Sequence, residues 1–296
     1  MTRASDTLAT IVRQIDDERL AAYGVVVQIS DDRAEHRWLS DERVDIYSAS
    51  KGVATLAAGI AVDEGILTPS TRVAECLPEF AAGQGAADVT LEQLLRLSSG
   101  IDFDWFGLAE PEGRDVARDM LALPVTRPGK FLYTNASHYT AMRMLASRVG
   151  DVRDYLMPRL FLPLGILNPQ WQRCPLGHIL AGTGLMMTTA ELARVGQLLR
   201  DRGRWEDRQL VSSAWVDAMH ESWLSTGGDG AFAEYGMGAW NGPEQTWRLD
   251  GLYGQYVVID QQRDAVATIT AHEEERDHLL AEIAARSLTE AGIAPA

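Results

Sequence analysis

Ser48 and Lys51 stand three positions apart in Ser48-Ala49-Ser50-Lys51, at what reads as the first turn of a helix. Positions i and i+3 on a helix share one face, about 5–6 Å apart. A hydroxyl and an amine at that spacing can share a proton, the least a serine needs to become a nucleophile without a histidine. The pattern occurs by chance in many chains, so its meaning depends on its surroundings. Tyr133 and Asn135, in Tyr133-Thr134-Asn135, form a second candidate pair after a loop at residues 128–132. On locally extended backbone both can face a cleft. The phenol could relay a proton, and the carboxamide could hold a substrate carbonyl or orient the lysine. A core tyrosine followed by a turn asparagine fits the same residues, and spacing alone leaves both readings open.

These side chains need elements to bring them together. Leu8, Ile11, Val12 and Ile15 recur at helical spacing after Ser5-Asp6, a possible cap. Residues 23–29 are β-branched and read as a buried strand, with a return strand over 35–39. Residues 48–64 are apolar nearly all round, which predicts a buried helix ending at Gly65. From 68 to 184 helical segments alternate with Pro/Gly-rich loops, and no good strand pattern appears. Helices follow at 191–201 and 212–221, then short strands at 246–249, 255–260 and 265–271, then a last helix from about 273 to 291. The expected fold is therefore α+β. Both chain ends, residues 1–67 and 185–296, share one antiparallel sheet flanked by terminal helices. A mostly helical lobe, 68–184, is inserted between them, with the site at the junction.

Taken in order, several segments carry a resemblance. Ser48-Ala49-Ser50-Lys51 and Tyr133-Thr134-Asn135, about 80 residues apart, resemble the serine β-lactamase family in its class C pattern, a group that includes penicillin-binding DD-peptidases and esterases. Thr90-Leu91-Glu92-Gln93-Leu94-Leu95 with Ser98-Ser99-Gly100 resembles the family's T-L-x-x-L-L-x-x-x-S-G stretch. Pro163-Leu164-Gly165-Ile166 resembles its P-L-G segment. Ala181-Gly182-Thr183-Gly184-Leu185, running on through Thr188 to Leu192-Ala193-Arg194, resembles its A-G-G-G-L segment, and Trp205 to Trp215 continues the match.

The resemblance implies a two-step acyl transfer with Ser48 as nucleophile and with Lys51 and Tyr133 sharing its proton. Asn135 would orient substrate or Lys51. The family's third motif is Lys-Thr-Gly or His-x-Gly, on the strand beside the nucleophile. Here the match is Leu249-Asp250-Gly251-Leu252-Tyr253-Gly254-Gln255, without a cation at its first position. Arg248 is one residue earlier, and strand alternation turns it to the other face. The resemblance places the oxyanion donors at the Ser48 and Leu252 N–H groups, with Gly251 allowing close approach, and puts Trp105 at the cleft mouth. An x-x-G-x-x-G-Q version of the motif is found in members similar to 6-aminohexanoate oligomer hydrolases. The missing cation favours an ester or small amide as substrate. The alternatives are a β-lactamase or D-amino-acid peptidase, and a non-catalytic binding protein of the same fold. The scheme needs no metal or organic cofactor.

Composition narrows the partners. The 296 residues are 46% hydrophobic, ample for a large core. With 27 Lys and Arg against 42 Asp and Glu, the formal charge is −15, which disfavours nucleic acid. A small-molecule substrate is the expected partner, and self-association stays open. No run approaches the ~20 apolar residues of a membrane span. Residues 1–10 lack the basic-then-apolar pattern of a secretory signal, so the expectation is a cytoplasmic protein. Cys76 and Cys174 have no ligand pattern around them and read as buried small hydrophobes, with a disulfide left open. His272 and His278 miss the H-E-x-x-H spacing, since Arg276 stands where the second histidine would. There is no G-x-S-x-G elbow. His178 is a possible cleft residue or a structural one. Of the eight tryptophans, Trp105, Trp171, Trp223 and Trp240 fall in loop-like stretches where a ring could hold an apolar substrate group.

Overall fold

The computed structural model describes residues 2–106 and 115–291. Helix α1 (Arg3–Glu18) buries Ile11 and Ile15. Its N-cap is Thr2, whose hydroxyl accepts the Ser5 N–H, so the cap lies three residues before the one expected at Ser5. Strands β1 (Ala22–Ile29) and β2 (Asp32–Arg37) form the first hairpin. The short strand β3 (Val44–Asp45) leads to α2 (Ser50–Asp63), in which every residue from Ser50 to Ala61 is buried. Its C-cap is Glu64, one residue before Gly65.

The middle of the chain is helical: α3 (Val73–Cys76), α4 (Leu91–Leu95), α5 (Val116–Leu121), α6 (Asn135–Val149) and α7 (Val152–Leu156). It is not free of strands. β4 (Gln170–Trp171) pairs with β5 (Leu185–Met187), which also pairs with β3. Two or three residues per strand are too few for alternation to show in sequence. Then come α8 (Thr189–Arg200), a small hairpin of β6 (Arg204–Trp205) and β7 (Arg208–Gln209), and α9 (Ser213–His220). The chain ends with β8 (Leu224–Ser225), β9 (Glu234–Tyr235), β10 (Trp240–Asn241), β11 (Trp247–Gly251), β12 (Gln255–Asp260), β13 (Ala265–Ala271) and α10 (Asp277–Ala291).

The main sheet has eight strands in the order β2-β1-β13-β12-β11-β10-β9-β8. The two chain ends meet where β1 pairs antiparallel with β13, Val25 opposite Ile269. Helices α1 and α10 cover one face through Val25, Val27, Tyr256, Val258 and Leu280. The other face, with Val257, Ile259 and Val266, packs into the larger core that holds α2, α6 and α8. This is an α+β fold with an antiparallel sheet against terminal helices and a helical region beside it. Of the three closing strands, β12 and β13 have the expected bounds, and β11 begins one residue later because Trp247, not Thr246, is its first paired residue. The last helix begins at Asp277, because residues 273–276 form a turn held by the Glu273 carboxylate. Cys76 and Cys174 are both buried and free, so no disulfide joins them.

Candidate active site

Ser48 sits in a single 3₁₀ turn, Tyr47–Ala49, directly ahead of α2 rather than inside it. The turn is pinned from both sides. Asp45 Oδ1 accepts the Tyr47 N–H at 2.7 Å and the Gly184 N–H at 3.1 Å. Ile46 N–H donates to the Leu185 carbonyl at 2.9 Å. Tyr47 itself has φ 46°, a left-handed backbone that costs a residue with a side chain roughly 1–3 kcal/mol. Its ring packs edge-on against Tyr253 at 5.4 Å. The strained residue thus immediately precedes the candidate nucleophile. Ser50, the other hydroxyl of the motif, is fully buried and accepts the Leu185 N–H at 3.4 Å. Ser48 is half-buried and lines an open pocket.

Lys51 Nζ lies 2.9 Å from Ser48 Oγ, 3.2 Å from Tyr133 OH, 2.5 Å from Asn135 Oδ1 and 3.0 Å from the Gly182 carbonyl. The residue is only 2% exposed. Two of these four partners, the amide oxygen and the carbonyl, can only accept. A neutral amine has two N–H groups and one lone pair. Its two N–H groups satisfy Asn135 and Gly182, which leaves the lone pair facing the hydroxyls of Ser48 and Tyr133. Burial pushes the amine down to about 7, opposed by the Asp250 charge. A substantial fraction is then neutral near pH 7. Burial pushes the Tyr133 phenol the other way, up to about 12, although a hydrogen bond with Ser48 opposes this.

Tyr133 and Asn135 arrive together because Thr134 caps α6. Its hydroxyl accepts the Ala136 N–H and donates to the Trp105 carbonyl. Asn135, buried in the first turn of α6, uses both ends of its amide: Oδ1 takes Lys51, and Nδ2 donates to the Phe106 carbonyl at 2.7 Å. It is therefore placed to orient the lysine.

Strand β11 behaves as alternation requires. Leu249 lies over α2, where the backbone is open because residue 52 is glycine; a Cβ there would come within 2.4 Å of Leu249 Cδ2. Arg248 turns to the opposite, α10 side, where Nε bonds Asp250 Oδ2 at 2.9 Å and the guanidinium also donates to the carbonyls of Asn241 and Ala231. Each of its three nitrogens thus has a partner other than the nucleophile. Gly251 passes so close to the Ser48 turn that a Cβ would lie 2.2 Å from the Ile46 carbonyl oxygen and 3.2 Å from Ala49 N. Leu252 follows on the pocket rim, 50% exposed.

The pocket at Ser48 has a volume of about 460 Å³. Tyr133, Asn135 and Leu252 line it as the sequence suggested, but Trp105 does not. Its ring packs edge-on against Tyr139 at 5.7 Å, and the next residue, Phe106, reaches the pocket instead. Trp240 is at the pocket, whereas Trp171 is buried in the core and donates to the Thr183 carbonyl. His178 lies apart, 3.5 Å from Arg143 beside a separate small cavity. Among the described residues no group of three His, Cys, Asp or Glu side chains is arranged to hold a metal ion. The pocket also contains residues that the motifs did not single out: Tyr47, Phe232, Asp250 and Asp277. Asp250 was visible as the middle residue of Leu-Asp-Gly. Asp277 carried no local signal, because only the fold brings the start of α10 to this opening. A hollow of about 570 Å³ near Glu234, Glu282 and Arg286 contains none of the candidate catalytic groups.

Comparison with known proteins bears on this arrangement. The model of the Beta-lactamase family matches residues 7–290. A 6-aminohexanoate-dimer hydrolase from Paenarthrobacter ureafaciens is 24% identical over 261 residues, covering 76% of this chain and 65% of the relative's own length. A family VIII carboxylesterase structure superposes with a TM-score of 0.72 at 16% identity, covering 97% of this chain and 98% of the other. A class C beta lactamase from Rhodobacter sphaeroides gives a TM-score of 0.74 at 15% identity, covering 96% and 98%.

Proposed function

This chain belongs to the β-lactamase family and is one of its serine hydrolases, and we propose that it acts through an acyl-enzyme on a carboxylic ester or small amide. The observation that carries the reading is the setting of Lys51. Nζ lies within hydrogen-bond reach of two groups that can only accept, Asn135 Oδ1 and the Gly182 carbonyl, and 2.9 Å from Ser48 Oγ, so the neutral amine that gives its two N–H groups to those acceptors has its lone pair left for Ser48. In this reading Ser48 Oγ attacks the carbonyl and its proton passes to Lys51 Nζ. The oxyanion is held by the N–H groups of Ser48 and Leu252. Each such donor is worth roughly 2.7–4 kcal/mol in the transition state. The tetrahedral intermediate collapses, and the bond to the leaving group breaks as the proton returns to it from Lys51 through Tyr133. Water then attacks the acyl-enzyme by the same route and releases the acid.

Lysine rather than tyrosine is the base. Ionising a phenol held up at about 12 costs roughly 7 kcal/mol at pH 7, whereas the amine at about 7 is already partly neutral. The ester or amide preference rests on the third motif. Leu249 stands where the family cation is expected and faces α2, and Arg248 is bound to Asp250 on the other side. A carboxylate-bearing β-lactam entering the pocket would meet the Asp250 carboxylate and, among the described lining residues, no lysine or arginine. The names of the amide hydrolase and carboxylesterase relatives agree with this choice.

The test is direct. p-Nitrophenyl acetate and butyrate should be hydrolysed, and a fluorophosphonate probe should label wild-type protein but not Ser48→Ala. Nitrocefin should be turned over more slowly than the esters. No turnover and no label would leave a binding protein of the same fold; rapid nitrocefin hydrolysis would make the protein a β-lactamase.

A further inference from the structure

The opening in front of Ser48 has an acidic and aromatic lining. Asp250 and Asp277 both line it, and among its described lining residues there is no lysine or arginine. The rest of the wall is largely aromatic. Phe232 and Trp240 meet edge-on at 4.9 Å, Trp240 lies 5.9 Å from Tyr133, and Phe106 stacks on Tyr133 at 6.2 Å. Two of these rings already stand against cations. Lys51 Nζ lies 4.7 Å from the Tyr133 centroid, and the Arg248 guanidinium lies 5.2 Å from that of Phe232. Aromatic faces attract a cation by about 0.5–2 kcal/mol each, more when water is excluded. A carboxylate beside such faces is the chemistry that recognises an ammonium group, and it repels a carboxylate.

From this lining we infer that the substrate is an ester or amide carrying an ammonium group, held by Asp250, Asp277 and the surrounding rings while its carbonyl meets Ser48. The inference rests on the hydrolase reading above and names its substrate class. The two carboxylates have different settings. Asp250 is 12% exposed and paired with Arg248 at 2.9 Å, so part of its charge is already answered. Asp277 heads α10 and has no ion-pair partner among the described residues. Burial raises the pKa of both carboxyls; the Asp277 charge adds to this at Asp250, and the Glu273 charge adds to it at Asp277. An ammonium beside these two carboxylates would offset the repulsion that Asp277 exerts on Asp250. The apolar rings suit the short methylene spacer between amine and carbonyl.

The experiment compares three p-nitrophenyl esters of one straight chain, ending in ammonium, methyl or carboxylate. A parallel pair of acetate esters, of an amino alcohol and of its alkyl isostere, places the amine on the leaving side. We expect kcat/KM to favour ammonium over methyl by about tenfold or more in at least one series, and carboxylate to be the poorest. Asp277→Asn, which leaves the Arg248–Asp250 pair in place, should narrow the ammonium-to-methyl ratio severalfold. Asp277→Lys should invert it toward the carboxylate ester. Equal rates for ammonium and methyl in both series would overturn the inference while leaving the hydrolase intact. If no ester is turned over, the hydrolase reading fails by itself. Calorimetric titration of wild type and Asp277→Lys with n-hexylammonium, against hexanoate and hexanol, then decides the inference separately. Binding of the amine alone, lost in the variant, supports it, and no amine binding ends it.

Discussion

Lys51→Met removes the amine and keeps an unbranched apolar stem in the same buried channel. Acylation of Ser48 should fall by on the order of 10⁴-fold, because Lys51 is the described group beside the hydroxyl that can take its proton at neutral pH. Tyr133→Phe should cost less, roughly 10²–10³-fold, since the phenol relays a proton that Lys51 holds. In the wild type, kcat/KM for a neutral ester should rise with pH through about 7 and then level off, because only the neutral amine can act as base. The same residue couples stability to pH. Its ordinary value is 10.5, and the folded value is about 7. Between these the unfolded chain holds the extra proton, so stability climbs as pH rises from about 7 toward 10.5, by at most about 1.4 kcal/mol per pH unit. Below about 7 both states are protonated and the contribution is flat. Denaturant melts of wild type minus Lys51→Met, between about pH 6 and 9.5, should show that slope; parallel curves would mean that the lysine is not held neutral. Ser48, Lys51, Tyr133 and Asn135 were legible in the sequence because their chemistry is in their side chains and their spacing is local. The Gly182 carbonyl that completes the lysine's cradle was not, because a backbone acceptor leaves no residue-type signature. Asp45, which pins the Ser48 turn, was likewise one acid among many until the fold placed it.

At the scale of elements, activity depends on how closely β11 lies against the Ser48 turn and α2. Gly251→Ala would drive a methyl into the Ile46 carbonyl and push the Leu252 N–H away from Ser48. We expect the folded protein to lose activity by roughly 10²–10³-fold, as for loss of one oxyanion donor, with a smaller change in KM. Gly52 and Leu249 form a second contact between the same elements. Gly52→Ala alone overpacks the interface and should cost about 1–3 kcal/mol, and Leu249→Ala alone leaves a cavity worth about 2–5 kcal/mol. Together they should cost measurably less than their sum, since the new methyl enters the space the leucine vacates. Urea denaturation of the four proteins closes this cycle, and strict additivity would show that the two residues do not share the space. β11, β12 and β13 were readable because five to seven residues are enough for β-branched runs and turns to stand out. β8, β9 and β10 have two residues each and were invisible, although Trp240 on β10 forms part of the pocket wall. The Ser48 turn was read as the start of α2, because a 3₁₀ turn running into a helix has the same i, i+3 spacing as the helix itself.

The whole molecule adds a field to the pocket. Its formal charge of −15 surrounds an opening that already carries Asp250 and Asp277. A low-dielectric cleft focuses such a field and raises the local concentration of oppositely charged solutes. The acid excess that disfavours nucleic acid thus favours a small cation near Ser48, and the field extends farther than the contacts themselves. Salt separates the two contributions. The screening length is about 30 Å at 0.01 M and about 3 Å at 1 M ionic strength, so added salt removes the long-range attraction first and leaves a close, partly buried pair largely intact. For an ammonium ester, kcat/KM should fall severalfold between about 10 mM and about 500 mM sodium chloride, mostly through KM. For the methyl isostere it should stay within about twofold, which controls for any effect of salt on Lys51 or on folding. Asp277→Asn should lower the ammonium ester's rate at every salt concentration without flattening the slope, because one charge of fifteen changes the contact more than the field. An ammonium ester as indifferent to salt as its neutral isostere would mean that the acidic surface takes no part in bringing substrate to Ser48.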